Sequence, residues 1–495
     1  MSFVASAYWR VGRYKEAEEL EVKALAGRER LLGPDHEDTL TSMNNLAITY
    51  DKQGRLKEAE ELHLKALAGR ERLLGLDHAD TLTPMNNLAT TYYKQGRLKE
   101  AEELHLKALA GRERLLGPDH ADTLKSMNNL AITYDEQGRL KEAEELHLKA
   151  LAGRERLLGP DHADTLKSMN NLAITYDEQG RLKEAEELHL KALAGRERLL
   201  GLDHADTLTP MNNLASTYYK QGRLKEAEEQ HLKALAGRER LLGPDHADTL
   251  KSMNNLAITY DEQGRLKEAE ELHLKALAGR ERLLGLDHAD TLTSMNNLAI
   301  TYCKQGRLKE AEELDLKALA GRERLLGPDH VHTLTSMNNL AVTYDEQGRY
   351  KEAEELELKA LAGRERLLGP DHVDTLESMN NLAITYRKQG RLKEAEELHL
   401  KALAGRERLL GTDHADTLTS MNNLASTYYK QGRLKEAEEQ HLKALAGRER
   451  LLRTDHADTL TSMKNLAITY RKQGRLKEAE DLESVILSRK SRGAH

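Results

Sequence analysis

The chain has 495 residues, of which 32% are charged and 4% aromatic, with a formal net charge of −8. So few aromatics exclude a large globular core, and charge spread evenly along the chain excludes a basic patch for nucleic acid. The single cysteine, Cys303, excludes a disulfide framework; with no apolar run of about 18 residues and no signal-type start, a cytoplasmic protein outside the membrane is expected.

From Gly12 to Gln473 a 42-residue unit is written eleven times in succession, with partial copies at residues 1–11 and 474–495. Composition does not change between copies, so residues 1–495 read as one continuous array. Each unit must bury its apolar face against its neighbours, which predicts an open solenoid. Met1 aligns with Met43, so the chain opens inside a first helix. Phe3, Val4 and Trp9 are apolar where a capping element would be polar, which suggests a piece of a larger protein. A helical pattern then runs from about Thr39 to Gln53, ended by Gly54, and a second from about Leu56 to Leu74, ended by Gly75. Glu58, Glu60 and Glu61 lie early in that second helix and Arg70 and Arg72 late, the order the helix dipole favours. Pro84 and Pro210 place the start of their first helices at or after Asp80 and Asp206. Gly69 and its equivalents sit inside the second helix at a cost of about 1 kcal/mol each relative to Ala, which a close helix crossing would explain. The glycines and the Gly-Pro-Asp-His turns interrupt the six heptads of each unit and exclude a long coiled coil. The last helix departs from the pattern after Asp481.

The spacing Leu46, Ala47, Tyr50, Gly54, Ala59, Ala66 resembles the tetratricopeptide repeat, in which a first helix carries Leu, a small residue and Tyr and a second carries two alanines at the crossing. The longer unit, with NNLA in the first helix and LLGPDH before the next, is similar to the 42-residue subclass of kinesin light chains and of repeat arrays in microbial and fungal signalling proteins. The resemblance covers essentially the whole chain. It implies an all-α, right-handed superhelix of about twelve helix pairs that binds a protein or peptide partner. The N-terminal heptad coiled coil by which kinesin light chains pair with the motor chain has no counterpart here. The subclass that grips chaperone tails uses Lys at the place of Asn44 and Asn at the place of Ile48. Only Lys464 fits, so recognition of a free C-terminal carboxylate is not expected.

No GxxxxGK(S/T) loop, GxSxG elbow or CxxC pair occurs, so no catalytic residue, cofactor or small-molecule substrate is expected. Asp35, His36 and Asp38, repeated in ten further loops with His332 replacing the last Asp once, are metal-capable side chains. They also stand where a turn enters a helix, and Asp there is expected to cap free amides rather than bind metal. His63 and seven equivalents share a second-helix column with Glu21, Asp315 and Glu357, the mixture expected of a surface position.

At about 100° per residue, Leu40, Met43, Leu46, Ala47 and Tyr50 form the packing stripe of the first helix, and positions 41, 44, 45, 48, 51 and 52 cover the opposite arc. The resemblance makes that arc the concave groove. Its amide ladder consists of Asn44 and Asn45, Asn86 and Asn87, Asn128 and Asn129, Asn170 and Asn171, Asn212 and Asn213, Asn254 and Asn255, Asn296 and Asn297, and Asn338 and Asn339. Such amides suit the backbone of an extended peptide, although they would equally serve bonds between neighbouring helices. Positions 41, 48, 51 and 52 vary among copies, Asp135, Asp177 and Tyr219 among them, while the second-helix columns of Lys57, Glu58, Glu61, Lys65, Arg70, Glu71 and Arg72 are constant. The expected function is a non-catalytic scaffold binding an extended segment in this groove. The alternatives are the sensing or autoinhibitory array of a signalling ATPase and a motor-cargo adaptor.

Overall fold

The structure, a computed structural model, describes residues 2–10, 13–202, 204–452, 454 and 456–493; the side chain of Phe3 lies outside them. Among these residues twenty-four helices, α1 to α24, follow one another without a strand. The first pair is α1 (Ser2–Arg10) and α2 (Tyr14–Leu32), and the second is α3 (Glu37–Lys52) and α4 (Leu56–Leu74). The alternation continues to α23 (Ala457–Lys472) and α24 (Leu476–Gly493). Gly54, at φ 76°, makes the left-handed turn between α3 and α4 that a residue with Cβ would resist.

The second helices begin and end where their punctuation places them. The first helices start two residues before Thr39, because the N-cap is His36, whose Nδ1 accepts from the Asp38 amide at 3.2 Å. The expected Asp cap is thereby corrected: Asp35 pairs with Arg72, and Asp38 lies inside the first turn. Pro84 is corrected likewise. α5 (Ala79–Lys94) begins before Asp80 and carries Pro84 beyond its first turn. The equivalent Ser126 accepts from Arg112 at 2.7 Å; with proline in that place, Arg70 turns instead toward the Asp80 carboxylate at 3.7 Å.

Packing explains the interior glycine. A Cβ on Gly69 would fall 2.5 Å from Cδ2 of Leu40, and one on Gly153 would fall 2.5 Å from Cδ2 of Leu124. Bare backbone on the second helix is the seat of a fully buried leucine from the first, so the pair crosses closely. Each core then draws on three helices. Leu151 of α8 (Leu140–Leu158) joins Leu166, Met169, Leu172, Ala173 and Tyr176 of α9 (Ala163–Glu178) and Ala185 and Ala192 of α10 (Leu182–Leu200). Successive first helices also touch, as α15 (Ala289–Lys304) does α17 (Val331–Glu346), and among the described residues no comparable contact joins successive second helices. The array therefore curves with its first helices inside. After between five and six units it passes over itself: His372 Nε2 donates to the Glu136 carbonyl at 3.1 Å, 236 residues back.

Helix propensity alone makes Gly153→Ala stabilising by about 1 kcal/mol. The Leu124 contact predicts the reverse, a loss of about 1–3 kcal/mol from overpacking. Urea denaturation of the variant decides between them by the sign of the change.

Candidate functional site

The first helices supply the inner face, and the structure divides the residues expected there into an interior set and an exposed set. Asn86, Asn128, Asn170, Asn212, Asn254, Asn296 and Asn338 are buried, and Asn44 is half-buried. The second column lies nearer solvent, with Asn45 exposed and Asn87, Asn129, Asn171, Asn213, Asn255, Asn297 and Asn339 half-buried. Its amides reach back one repeat: Asn87 Nδ2 donates to Asn44 Oδ1 at 3.0 Å, Asn171 to Asn128 at 2.8 Å and Asn297 to Asn254 at 3.0 Å. The first column thus serves as an acceptor inside the helix stack, which corrects the expectation that it faces a ligand.

The histidine column is corrected more sharply. His63, His105, His147, His189, His231, His273, His399 and His441 are all buried. In α13 (Ala247–Glu262) and α14 (Leu266–Leu284), His273 lies with Nδ1 3.2 Å from Asn254 Oδ1 and Nε2 3.4 Å from Asp261 Oδ2. Both acceptors also bond α15, which sends Asn297 Nδ2 to Asn254 and Thr301 Oγ1 to Asp261 at 2.8 Å. A buried polar group costs less when it is partnered, and this network fastens α13 and α14 to α15.

It also accounts for Asp135 and Asp177. Asp135 Oδ2 lies 3.3 Å from His147 Nε2, and Asp177, buried, accepts from Thr217 at 2.9 Å and lies 3.5 Å from His189. These two carboxylates therefore point into the stack. The variable position 51 stands twelve residues before the histidine position: the histidine is kept whether that residue is Asp, Tyr or Arg, while Cys303 stands with Asp315, Asp345 with Glu357, and Arg471 pairs with Glu483 at 2.7 Å. Tyr219 is half-buried, and burial, with the Glu262 carboxylate nearby, pushes its hydroxyl up to about 12. Among the described residues, side chains left open on the inner face include the exposed Lys125, Lys167, Lys251, Ile174, Ile300, Val342 and Ile468, beside the half-buried second Asn column. The isoleucines and valine occupy position 48, which the helical spacing places on the inner arc.

The constant second-helix columns are only partly surface. Glu58 pairs with Arg55 and Arg72 with Asp35, and most arginines of the Arg70 column are buried, Arg112 for example bonding the Asp122 carbonyl and Ser126. A further constant set joins repeats. Gln95 Nε2 donates to Leu56 O at 3.2 Å and Glu60 Oε2 at 2.9 Å, while Arg97 donates to Glu60 Oε1 at 2.8 Å and lies 3.8 Å above the Tyr92 ring. In the loops, the Asp-His side chains are engaged in capping and ion pairing, and among the described residues no three His, Cys, Asp or Glu groups gather as a metal cluster. No helix among them is long and apolar enough to cross a membrane.

Stacked helix pairs around a shared inner face define a helical-repeat solenoid. The chain belongs to the tetratricopeptide repeat family, whose profile matches overlapping segments from residues 1–72 to residues 416–489. Arrays of this family are typically non-catalytic scaffolds for protein interaction. A crystal structure of a Podosopora anserina kinesin light chain-type protein with nearly identical TPR-like repeats is 30% identical over 42% of this chain and 98% of that one, at a TM-score of 0.36. BtubC (BKLC) from P. vanneervenii is 23% identical over 47% of this chain and 91% of that one, at a TM-score of 0.37. A Rap protein complexed with competence and sporulation factor is 14% identical, covers 83% of this chain and 98% of that one at a TM-score of 0.50, and shows the same fold. No curated protein matches the sequence.

Burial lowers His105, His231 and His441 to about 4 and His399 to about 3, against an ordinary value of 6.5. Their unfolded forms bind protons more readily, so their contribution is complete above about pH 6.5 and drains as pH falls toward 4. Burial acts oppositely on Glu357, raised to about 8, and Asp315, raised to about 6, whose contributions are lost as pH rises through those values. The histidines outnumber them, so the urea midpoint should fall between about pH 7 and about pH 5. Replacing the four histidines with Gln should flatten that fall; an unchanged slope would place the acid sensitivity elsewhere.

Proposed function

We propose that residues 1–495 act as one continuous, non-catalytic scaffold that takes an extended peptide or a disordered partner segment along the inner face of its first helices. The observation that carries this reading is the half-buried amide column. Asn87, Asn129, Asn171 and Asn213 recur once per repeat, each spending one N–H on the preceding repeat. Beside it run the exposed Ile174, Ile300 and Val342. Amides at regular intervals meet the donors and acceptors of an extended backbone, and neighbouring apolar side chains meet its side chains. Position 41 adds selectivity, because it is Lys in Lys125, Lys167 and Lys251, Thr in Thr83 and Thr209, and Glu in Glu377. These residues replace Asp135 and Asp177 as the specificity positions, since the two carboxylates are bound to buried histidines.

Partner capture by affinity purification and mass spectrometry identifies the segment, and titration calorimetry then measures it. Changing Asn129, Asn171, Asn213 and Asn255 to Ala should weaken binding by about 0.5–1.5 kcal/mol apiece. Lys149→Ala and Glu155→Ala, on the exposed second-helix surface, should leave it unchanged. Equal losses from both sets would refute the inner-face reading.

A further inference from the structure

Where the second superhelical turn passes over the first, N-cap histidines of the second seat on glycine turns of the first. His372 Nε2 donates to the Glu136 carbonyl at 3.1 Å while its Nδ1 accepts from the Asp374 amide at 3.2 Å, so Glu136 and Asp374 meet at one imidazole. One repeat on, His414 caps α21 (Ala415–Gln431) by accepting from the Asp416 amide at 3.2 Å. It lies against Gly180, where a Cβ would fall 2.5 Å from its Cδ2, and this brings Asp416 to the same junction as Glu178.

At this junction lies a cavity of about 430 Å³, a size typical of small-molecule sites. Asp135, Glu136, Asp177, Glu178, Asp374 and Asp416 all line it, against one ammonium, Lys220, which pairs with Glu178 at 2.8 Å. His372 and His414 line it as well, and burial lowers both, so they add no charge at neutral pH. Both α7 (Ala121–Glu136) and α9 end on an acidic pair with no basic residue in the last turn, where the helix dipole favours a cation. The first junction of the same kind is complementary instead: Lys52 stands there, and His288, which bonds its backbone, is capped by the Asp290 amide. Asp177 is an independent sign of something further to bind. It is 7% exposed, lines the cavity, and leaves Oδ1 without a hydrogen-bond partner, a costly state for a buried carboxylate.

We propose that this cavity binds a linear polyamine, with ammonium groups on the carboxylates of both superhelical turns and methylenes against Leu140, Leu182 and Leu410. The arrangement of charge selects this class. Among the described residues no three acidic or histidine groups gather closely enough to hold a metal ion. Carboxylates dispersed around an elongated space match a cation whose charges are spread along a chain, and a point charge reaches too few of them. Leucines on the same walls suit the aliphatic stretches between ammonium groups. The ligand therefore ties residues 135–178 of one turn to residues 374–416 of the next, and it removes the repulsion that their like charges create.

Titration calorimetry of residues 1–495 with spermine, at about 0.15 M salt so that diffuse attraction is screened, tests this. A single saturable site is expected, and the melting temperature should rise with spermine concentration. Changing Glu136 and Glu178, both exposed, to Gln should weaken binding by about tenfold or more. Circular dichroism should be unchanged and the melting temperature of the free variant no lower, since like charges have been removed. Glu262→Gln with Glu346→Gln, at the same position in copies that do not line the cavity, lowers the chain's negative charge equally and should leave the affinity unchanged. Absence of saturable binding overturns the proposal. So does equal weakening by the two pairs, which makes the response one of net charge, or magnesium chloride binding as tightly as spermine, which makes the site one for a metal ion.

Discussion

No repeat closes its own core. Each cluster of buried leucine, methionine, tyrosine and alanine is assembled from the second helix of one pair and both helices of the next, as Leu151, Leu166 and Ala192 show. An isolated pair would expose the side chains that its neighbour covers, and burial of apolar area is the dominant favourable term in folding. The period must therefore be kept from copy to copy, and the interior glycine must be kept with it. Any Cβ at Gly69 or Gly153 would lift the leucine beneath it and change the crossing that presents the next face.

A polar frame is laid over this apolar one. The Asn254, His273 and Asp261 side chains bond one another and extend to Asn297 and Thr301 in the following repeat. Where tyrosine or arginine replaces the Asp, the buried ring has no carboxylate at that position and its pKa is driven down, as at His105 and His399. Variation at position 51 thus changes the electrostatics of the stack rather than of a surface. On the proposed reading, recognition falls to the narrower strip of positions 41, 45 and 48.

The sequence made the period, the helix pairs and the ends of the second helices legible, because glycine breakers and alternating charge mark them locally. It concealed the start of the first helices, since histidine is an unusual N-cap and the flanking Asp residues look better suited to the task. The first Asn column and Asp177 read as surface because a helical wheel treats one helix alone, and the neighbouring first helix that buries them lies 42 residues away. The histidine column held a usable signal. It contains only His, Glu and Asp, all hydrogen-bonding side chains, a narrower set than an open surface position would hold. Ile300 and Val342, at position 48, were legible as inner-arc residues from the helical spacing, and the structure leaves them exposed there.

The central claim, that stability belongs to the interfaces between repeats, is tested most directly by measuring urea unfolding and far-ultraviolet circular dichroism on arrays of one, two, three and five consensus units. The account predicts that the single unit is largely unfolded and that the midpoint and cooperativity climb with each unit added, as a nearest-neighbour chain requires. A single unit as helical and as resistant to urea as the five-unit array would contradict it.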